Sequence, residues 1–235
     1  MKPWQVKRYC IGKASAQYVA KMEDVLSVYA RPLDTSRPVV CVDEGRKELR
    51  TTPRGELPAE PSTPKREDYE YAREGAANLF LAVEPLAGKR YVQVTERRTS
   101  VDFARFLRFI SDEMYPDAVK VVLVTDNLNT HKPASLYEAF APEEAYRLMQ
   151  RFEWHYTPEH GSWLNMAEIE LSILERQCLS RRLSREQLEV EVPAWEAQRN
   201  LMQGKIHWQF TAEDARVKLR HLYPMLQQQR TDVTI

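Results

Sequence analysis

Two apolar runs that each stop at an aspartate constrain this chain more than any other feature. One is Val39 to Val42 in "RPVVCVDEG", ending at Asp43, and the other lies in "AVKVVLVTDN", ending at Asp126. Runs that are apolar almost throughout, without polar alternation, predict strands buried on both faces. This is the α/β situation, a sheet with helices on either side. Chemistry in such sheets collects beyond the strand ends. If the two strands are parallel neighbours, Asp43 and Asp126 share one rim.

The remaining pattern fills in that sheet. Val19, Met22, Val25 and Leu26 recur at helical spacing and predict a helix near Ala16 to Tyr29 within an N-terminal arm of residues 1–37. "TTPRGELPAEPSTPKRED", crowded with Pro, Thr and charge, predicts an exposed loop from about Thr51 to Asp68. "NLFLAVEPLAGKRYVQVTE" predicts a hairpin with Gly88 in its bend, followed by a helix over Val101 to Met114. After Asp126 come a short helical stretch and a fifth strand in "RFEWHYTP", and from Trp163 onward the chain reads as mostly helical, with Pro193 marking a break or kink. The expected organisation is a catalytic domain over 38–182, a helical C-terminal extension over 183–226 and a frayed tail over 227–235.

A third acid is needed before two strand-end aspartates mean chemistry, because Asp also opens turns and caps helices. "TPEHGSWLNMAEIE" supplies Glu168 and Glu170 at the start of a helix. At about 100° per residue only one of them can face a given site. Glu168 shares an edge with Ser172 and Glu175, flanked by apolar edges on both sides, whereas Glu170 reads as solvated or salt-bridged. The competing explanation for Glu168 is a capping box, Asn165-x-x-Glu168. Three carboxylates at one rim repel one another unless a cation compensates, and hard oxygen ligands suit Mg²⁺. Two such ions about 3.5–4 Å apart serve in-line displacement at phosphorus.

Composition narrows the partners. The 34 Lys and Arg balance 34 Asp and Glu, so any polyanion site must be local rather than a whole-molecule field. Cys10, Cys41 and Cys178 form no CxxC pair and have an odd count, which suits a reducing cytoplasm and argues against zinc. Neither a membrane-length apolar run nor a signal-peptide-like start is present, so a cytoplasmic protein is expected.

"VVCVDE", "VLVTDNLNTHK" and "HYTPEHGSWLNMAEIE", in this order, resemble the catalytic portion of bacterial insertion-sequence DDE transposases of the mariner-like superfamily, insertion sequence 630 type. The resemblance spans about Trp4 to Pro224. It implies a ribonuclease-H-like mixed sheet flanked by helices, a catalytic and metal-binding triad of Asp43, Asp126 and Glu168, and Mg²⁺ or Mn²⁺ as cofactor, two ions in the expected scheme. It also implies metal-dependent DNA cleavage and strand transfer at element ends, with DNA as partner and a homodimer in the active complex. The 41 residues between Asp126 and Glu168 exceed the superfamily's commonest spacing, with "APEEAYRLMQ" as the added helical material. Only about forty residues precede Asp43, which leads to the expectation of a truncated protein or the second half of a split frame, its helix-turn-helix encoded separately.

Candidate DNA contacts are Lys65, Arg66, Arg97, Arg98, His131, Lys132, His160, Ser162 and Trp163, together with the basic "SRRLSR" of Ser180 to Arg185. Trp163 could stack on an unpaired base or belong to the core. The alternatives to a transposase are a nuclease of the same fold that only hydrolyses, and an inactive remnant acting as a DNA-binding or assembly module.

Overall fold

The computed structural model describes residues 15–224 apart from 54, 58, 65 and 68. Helix α1 (Ala16–Tyr29) comes first, capped by the Ser15 hydroxyl, which accepts from the Tyr18 N–H. Strand β1 (Val39–Thr51) follows, then a small ladder of β2 (Glu56–Leu57) and β3 (Arg66–Glu67), and then the hairpin β4 (Ala72–Glu84) and β5 (Lys89–Thr95). Helix α2 (Ser100–Phe109) continues into a π-helical turn over Ile110–Met114. Strand β6 (Val121–Thr125), α3 (Ala134–Ala139), α4 (Pro142–Arg151) and β7 (Phe152–Tyr156) complete the sheet. Helices α5 (Met166–Leu174), α6 (Arg185–Leu201) and α7 (Ala212–Lys218) close the chain.

The sheet order is β5-β4-β1-β6-β7. Strands β5, β4 and β1 are antiparallel neighbours, and β1, β6 and β7 are parallel. Alternation in β1 sends Val40 and Val42 to one face, packed with Phe103, Phe106 and Leu107 of α2, and Cys41 to the other, packed with residues of α1, α5 and α6. Both faces are therefore covered, as the unalternating apolar runs require. Met22 and Val25 of α1 share one core with Leu188 and Val192 of α6 and with Ala215 of α7, so arm and extension fold onto the sheet.

The extension also closes a vulnerable edge. An edge strand exposes unpaired N–H and C=O groups that invite other chains. On β5 the Arg90 N–H donates to the Asn200 side chain at 2.9 Å and the Val92 N–H to the Glu196 carboxylate at 2.8 Å, both acceptors on α6. The β4–β5 bend depends on Gly88, whose φ is +67°, and a Cβ there would stand 2.7 Å from the Gln203 carbonyl.

Three expectations need correction. Strand β1 does not stop at Asp43 but runs eight residues further to Thr51, because β4 pairs with it out to Thr51, with a register shift between Glu48 and Arg50. The stretch over 51–68 is exposed but contains the β2–β3 ladder. Of the break or kink expected at Pro193, the break is absent: helix α6 continues through it, with Pro193 on its exposed side and Val192 and Trp195 buried. Among the described residues no helix is long and apolar enough to cross a membrane. The frayed tail expected over 227–235 lies outside the described residues.

Candidate active site

The parallel pairing of β1 and β6 fixes the first two acids. Val39 pairs with Val122, Val40 with Leu123 and Cys41 with Val124, and the same register carries Asp43 to the level of Asp126. Asp43 lies inside a strand, with its neighbours' backbone held in the ladder. Its Oδ1 accepts from the Glu44 N–H at 2.7 Å and its Oδ2 from the Asn165 amide at 3.1 Å. Asp126 sits one residue past the end of β6, where its Oδ1 accepts from the Leu128 N–H at 3.3 Å and hydrogen-bonds His131 Nδ1.

Asn165 ties the third acid to the first. Its side-chain oxygen caps α5 by accepting from the Ala167 N–H at 3.1 Å, while its amide donates to the Val42 carbonyl at 3.0 Å and to Asp43. Glu168 follows in the first turn of the helix so anchored. The expected capping box is only half present, since Asn165 caps but the Glu168 carboxylate does not reach back. Among the described residues Glu168 has no hydrogen-bonding or cationic side-chain partner, and it lies on an exposed edge with Ser172 and Glu175 rather than between two buried ones.

Electrostatics registers the convergence. Burial lifts the Asp43 carboxyl to about 7; the Glu44 N–H opposes this, and the negative charges of Glu168 and Asp126 add to the lift. His131 is driven the other way from its usual response to burial: desolvation would lower it, but its bonds to Asp126 and Glu44 prevail and hold it near 9. As the side chains stand, no group of three or more His, Cys, Asp or Glu residues among the described residues is arranged to hold a metal ion. The donors nevertheless fit a hard divalent cation, being carboxylate oxygens whose mutual repulsion reaches a buried member.

The other sequence candidates scatter. Lys65 lies outside the described residues. Arg66 and Arg97 are exposed, Arg98 pairs with Glu44 at 3.1 Å, and Lys132 donates to the Asn129 side chain at 2.9 Å. His131 is fully buried, so it is an internal group with no DNA-facing surface. His160, at a left-handed φ of +60°, lines a cleft of about 310 Å³ with Asn127 and Lys21, beside the rim. Ser162 is exposed. Trp163 is half-buried, donates to the Tyr18 hydroxyl at 3.1 Å and packs against Trp208 and Phe210, which is the core placement. In "SRRLSR", Arg181 pairs with Glu191 and Arg185 lies 3.6 Å from Glu189.

Glu170 is salt-bridged as expected but not solvated. It is fully buried, with Arg199 Nε donating to its Oε1 at 2.9 Å and Arg90 Nε also 2.9 Å away, both guanidinium groups arriving from other elements. Sequence reasoning found the Asn165 cap but missed this cluster, the Asn165 amide bond to Asp43 and the role of Glu44. Glu44 did carry a signal, since strand alternation puts it on the face opposite Asp43.

Residues 38–191 match the family model for the DDE superfamily endonucleases. The chain belongs to that family. The matched span contains Asp43, Asp126 and Glu168. Its fold is the ribonuclease-H-like fold of solved transposase structures. These include the Mos1 mariner paired-end complex with Mn (TM-score 0.53, 16% identity, 95% of this chain and 63% of that one) and the Mos1 transposase paired-end complex with left transposon end (TM-score 0.52, 16% identity, 84% and 61%). The Mos1 paired-end complex with Mg is similar at a TM-score of 0.51 and 16% identity, over 93% of this chain and 66% of that one. The DDE chain thus spans less than two thirds of the length of these structures. No curated protein sequence matches it significantly.

Proposed function

We propose that this DDE endonuclease is the catalytic portion of a mariner-like DNA transposase, with Asp43, Asp126 and Glu168 as its catalytic acids and Mg²⁺ or Mn²⁺, two ions, as cofactor. One observation carries the reading: Asn165 hydrogen-bonds Asp43 with its amide while capping the helix that bears Glu168, at the rim where β1 and β6 bring Asp43 level with Asp126. This linkage supports the three carboxylates acting together, in a chain of the DDE superfamily endonucleases. The similar Mos1 paired-end complexes with Mn and with Mg support the choice of cation.

Bound metal would supply activation of an attacking oxygen and neutralisation of charge at phosphorus. The chain's own residues position and exclude. Asp43 is held on both oxygens, so its orientation is fixed before any ligand arrives. Glu168, exposed and without a side-chain partner among the described residues, is free to turn toward a cation. Its helix cannot drift from Asp43 without breaking the Asn165 bonds. Exposed Arg66, Arg97, Lys132, His160 and Ser162 are the proposed phosphate contacts. DNA is the proposed partner, a homodimer the active form, a separately encoded helix-turn-helix half the source of end recognition, and the bacterial cytoplasm the location.

Cleavage of element-end DNA, followed by joining of a precut 3′ end to target DNA, tests the reading. Wild-type protein is expected to do both with Mg²⁺ or Mn²⁺ and neither in excess chelator. Undiminished activity in chelator would refute it, and cleavage without joining would reduce the function to hydrolysis.

A further inference from the structure

The two proposed strand acids are held in different ways. Asp43 is part of a hydrogen-bonded ladder, whereas Asp126 lies beyond the last residue of β6 and begins a loop of exposed residues over 127–129. A carboxylate at such a place needs its side chain braced if it is to present one oxygen reproducibly, and ligating carboxylates are commonly braced by a hydrogen bond from behind. The brace is visible. His131 is fully buried, with Nδ1 bonded to Asp126 Oδ1 and 3.4 Å from the Thr125 hydroxyl, Nε2 3.4 Å from Glu44 Oε2, and its ring 4.3 Å from that of Phe103. Glu44 is nearly buried and is held in turn by Arg98 at 3.1 Å.

We infer that His131, backed by Glu44, is the positioning residue that fixes the Asp126 carboxylate for cation binding, engaging Oδ1 and leaving Oδ2 as the ligand atom. The inference rests on the reading of Asp126 as a metal ligand. Strand alternation explains how adjacent residues serve both acids. Asp43 projects to the α5 face and meets Asn165, while Glu44 projects to the α2 face and meets a histidine packed on Phe103. No exposed surface of His131 remains for DNA, and both of its nitrogens are already engaged.

The test is Mn²⁺ binding to the full chain by titration calorimetry, with thermal unfolding of the metal-free proteins as the check on folding. His131→Ala and Glu44→Ala are each expected to weaken Mn²⁺ by about 10–100-fold. Glu44→Gln, which loses the charge but keeps an oxygen to accept from Nε2, is expected to recover most of that loss. In DNA cleavage the same variants should need more Mn²⁺ for half-maximal rate, with the rate at saturating Mn²⁺ largely retained. If His131→Ala does not fold, the Glu44→Ala and Glu44→Gln pair carries the test alone. Mn²⁺ affinity unchanged in the alanine variants overturns the inference, as does equal weakening by Glu44→Ala and Glu44→Gln, which would mean that charge alone matters. Wild-type protein that binds no Mn²⁺ would remove the catalytic reading and this inference together, whereas wild-type binding with unaffected variants removes only the inference.

Discussion

Glu168 and Glu170 stand two residues apart on one helix and live under opposite electrostatic rules. Glu170 is fully buried between the guanidinium groups of Arg90 and Arg199, so the protein itself supplies its countercharge. Glu168 is exposed, has no cationic partner among the described residues, and adds its charge to that of Asp126 against the buried Asp43. The first arrangement is complete and holds structure, knitting β5, α5 and α6. The second is incomplete, which is why we propose it as the place a cation takes. A carboxylate's identity says little until its countercharge is located.

The largest effect that can break this comparison comes from the structural side. Glu170→Ala leaves two buried or half-buried guanidinium groups without their partner, and removal of one member of a buried ion pair is strongly destabilising, by about 3–5 kcal/mol. Urea unfolding should show this loss; a loss below about 1 kcal/mol, the scale of an exposed pair, would mean that the cluster does not lock the sheet edge.

Glu168→Gln is the mirror experiment. It should leave the unfolding midpoint nearly unchanged, within about 0.5 kcal/mol for an exposed side chain. DNA cleavage should fall by about 10²–10³-fold, the scale of removing one electrostatic stabiliser from an active site. A stability loss with intact cleavage would exchange the roles assigned to the two glutamates.

Titration sharpens the contrast. The folded-state pKa of Asp43 is raised from 3.8 to about 7, so between those values the native state binds more protons than the unfolded state. Metal-free protein should therefore lose the benefit of a neutral Asp43 as pH rises through this window, and the full penalty of ionisation is present above about 7. Asp43→Asn should abolish this component and stabilise the metal-free protein at pH 8, on the order of 2 kcal/mol, while removing activity. Thermal unfolding from pH 4 to pH 8 with and without chelator reads the effect; a wild-type component that rises over the same range contradicts the sign.

The smallest effect belongs to the joint between the two regions. Asn165→Ala removes a helix cap and the amide bonds to β1, with an expected loss of about 1–2 kcal/mol. Asn165→Asp keeps the cap oxygen but sets a fourth carboxylate against Asp43, so it should retain the helix and still impair metal binding. Wild-type Mn²⁺ affinity in Asn165→Asp beside weakened affinity in Asn165→Ala would show that capping is all that Asn165 contributes.

Much of the sheet was legible because burial on both faces leaves an unalternating apolar run, and Val39–Val42 and Val121–Val124 are such runs. The hairpin was legible through Gly88, where positive φ is required. The true end of β1 was not, because its outer part, Asp43 to Thr51, is mostly polar and is held by pairing with β4, a long-range partner that no local pattern reveals. Pro193 does not break α6 for a related reason: a proline on the exposed side of a helix is tolerated when the helix is fastened elsewhere, here by Glu196 and Asn200 to β5. Glu168's setting was misread because its flanks are apolar, yet Ile169 is 39% exposed and the buried side of α5 is the side that carries Glu170. Hydrophobicity alone did not reveal that a fully buried position could be a glutamate, since Arg90 and Arg199 come from remote segments.

The central claim is that Asp43, Asp126 and Glu168 together carry more negative charge than His131 offsets, and that a divalent cation balances the excess. Anomalous diffraction from crystals grown or soaked with Mn²⁺ addresses it most directly. The account predicts a peak at the rim bridging Asp43 and Asp126, with Glu168 turned inward and the Glu170 cluster free of metal. An empty rim at saturating Mn²⁺, or a peak held by other residues while the three acids keep apart, would contradict it.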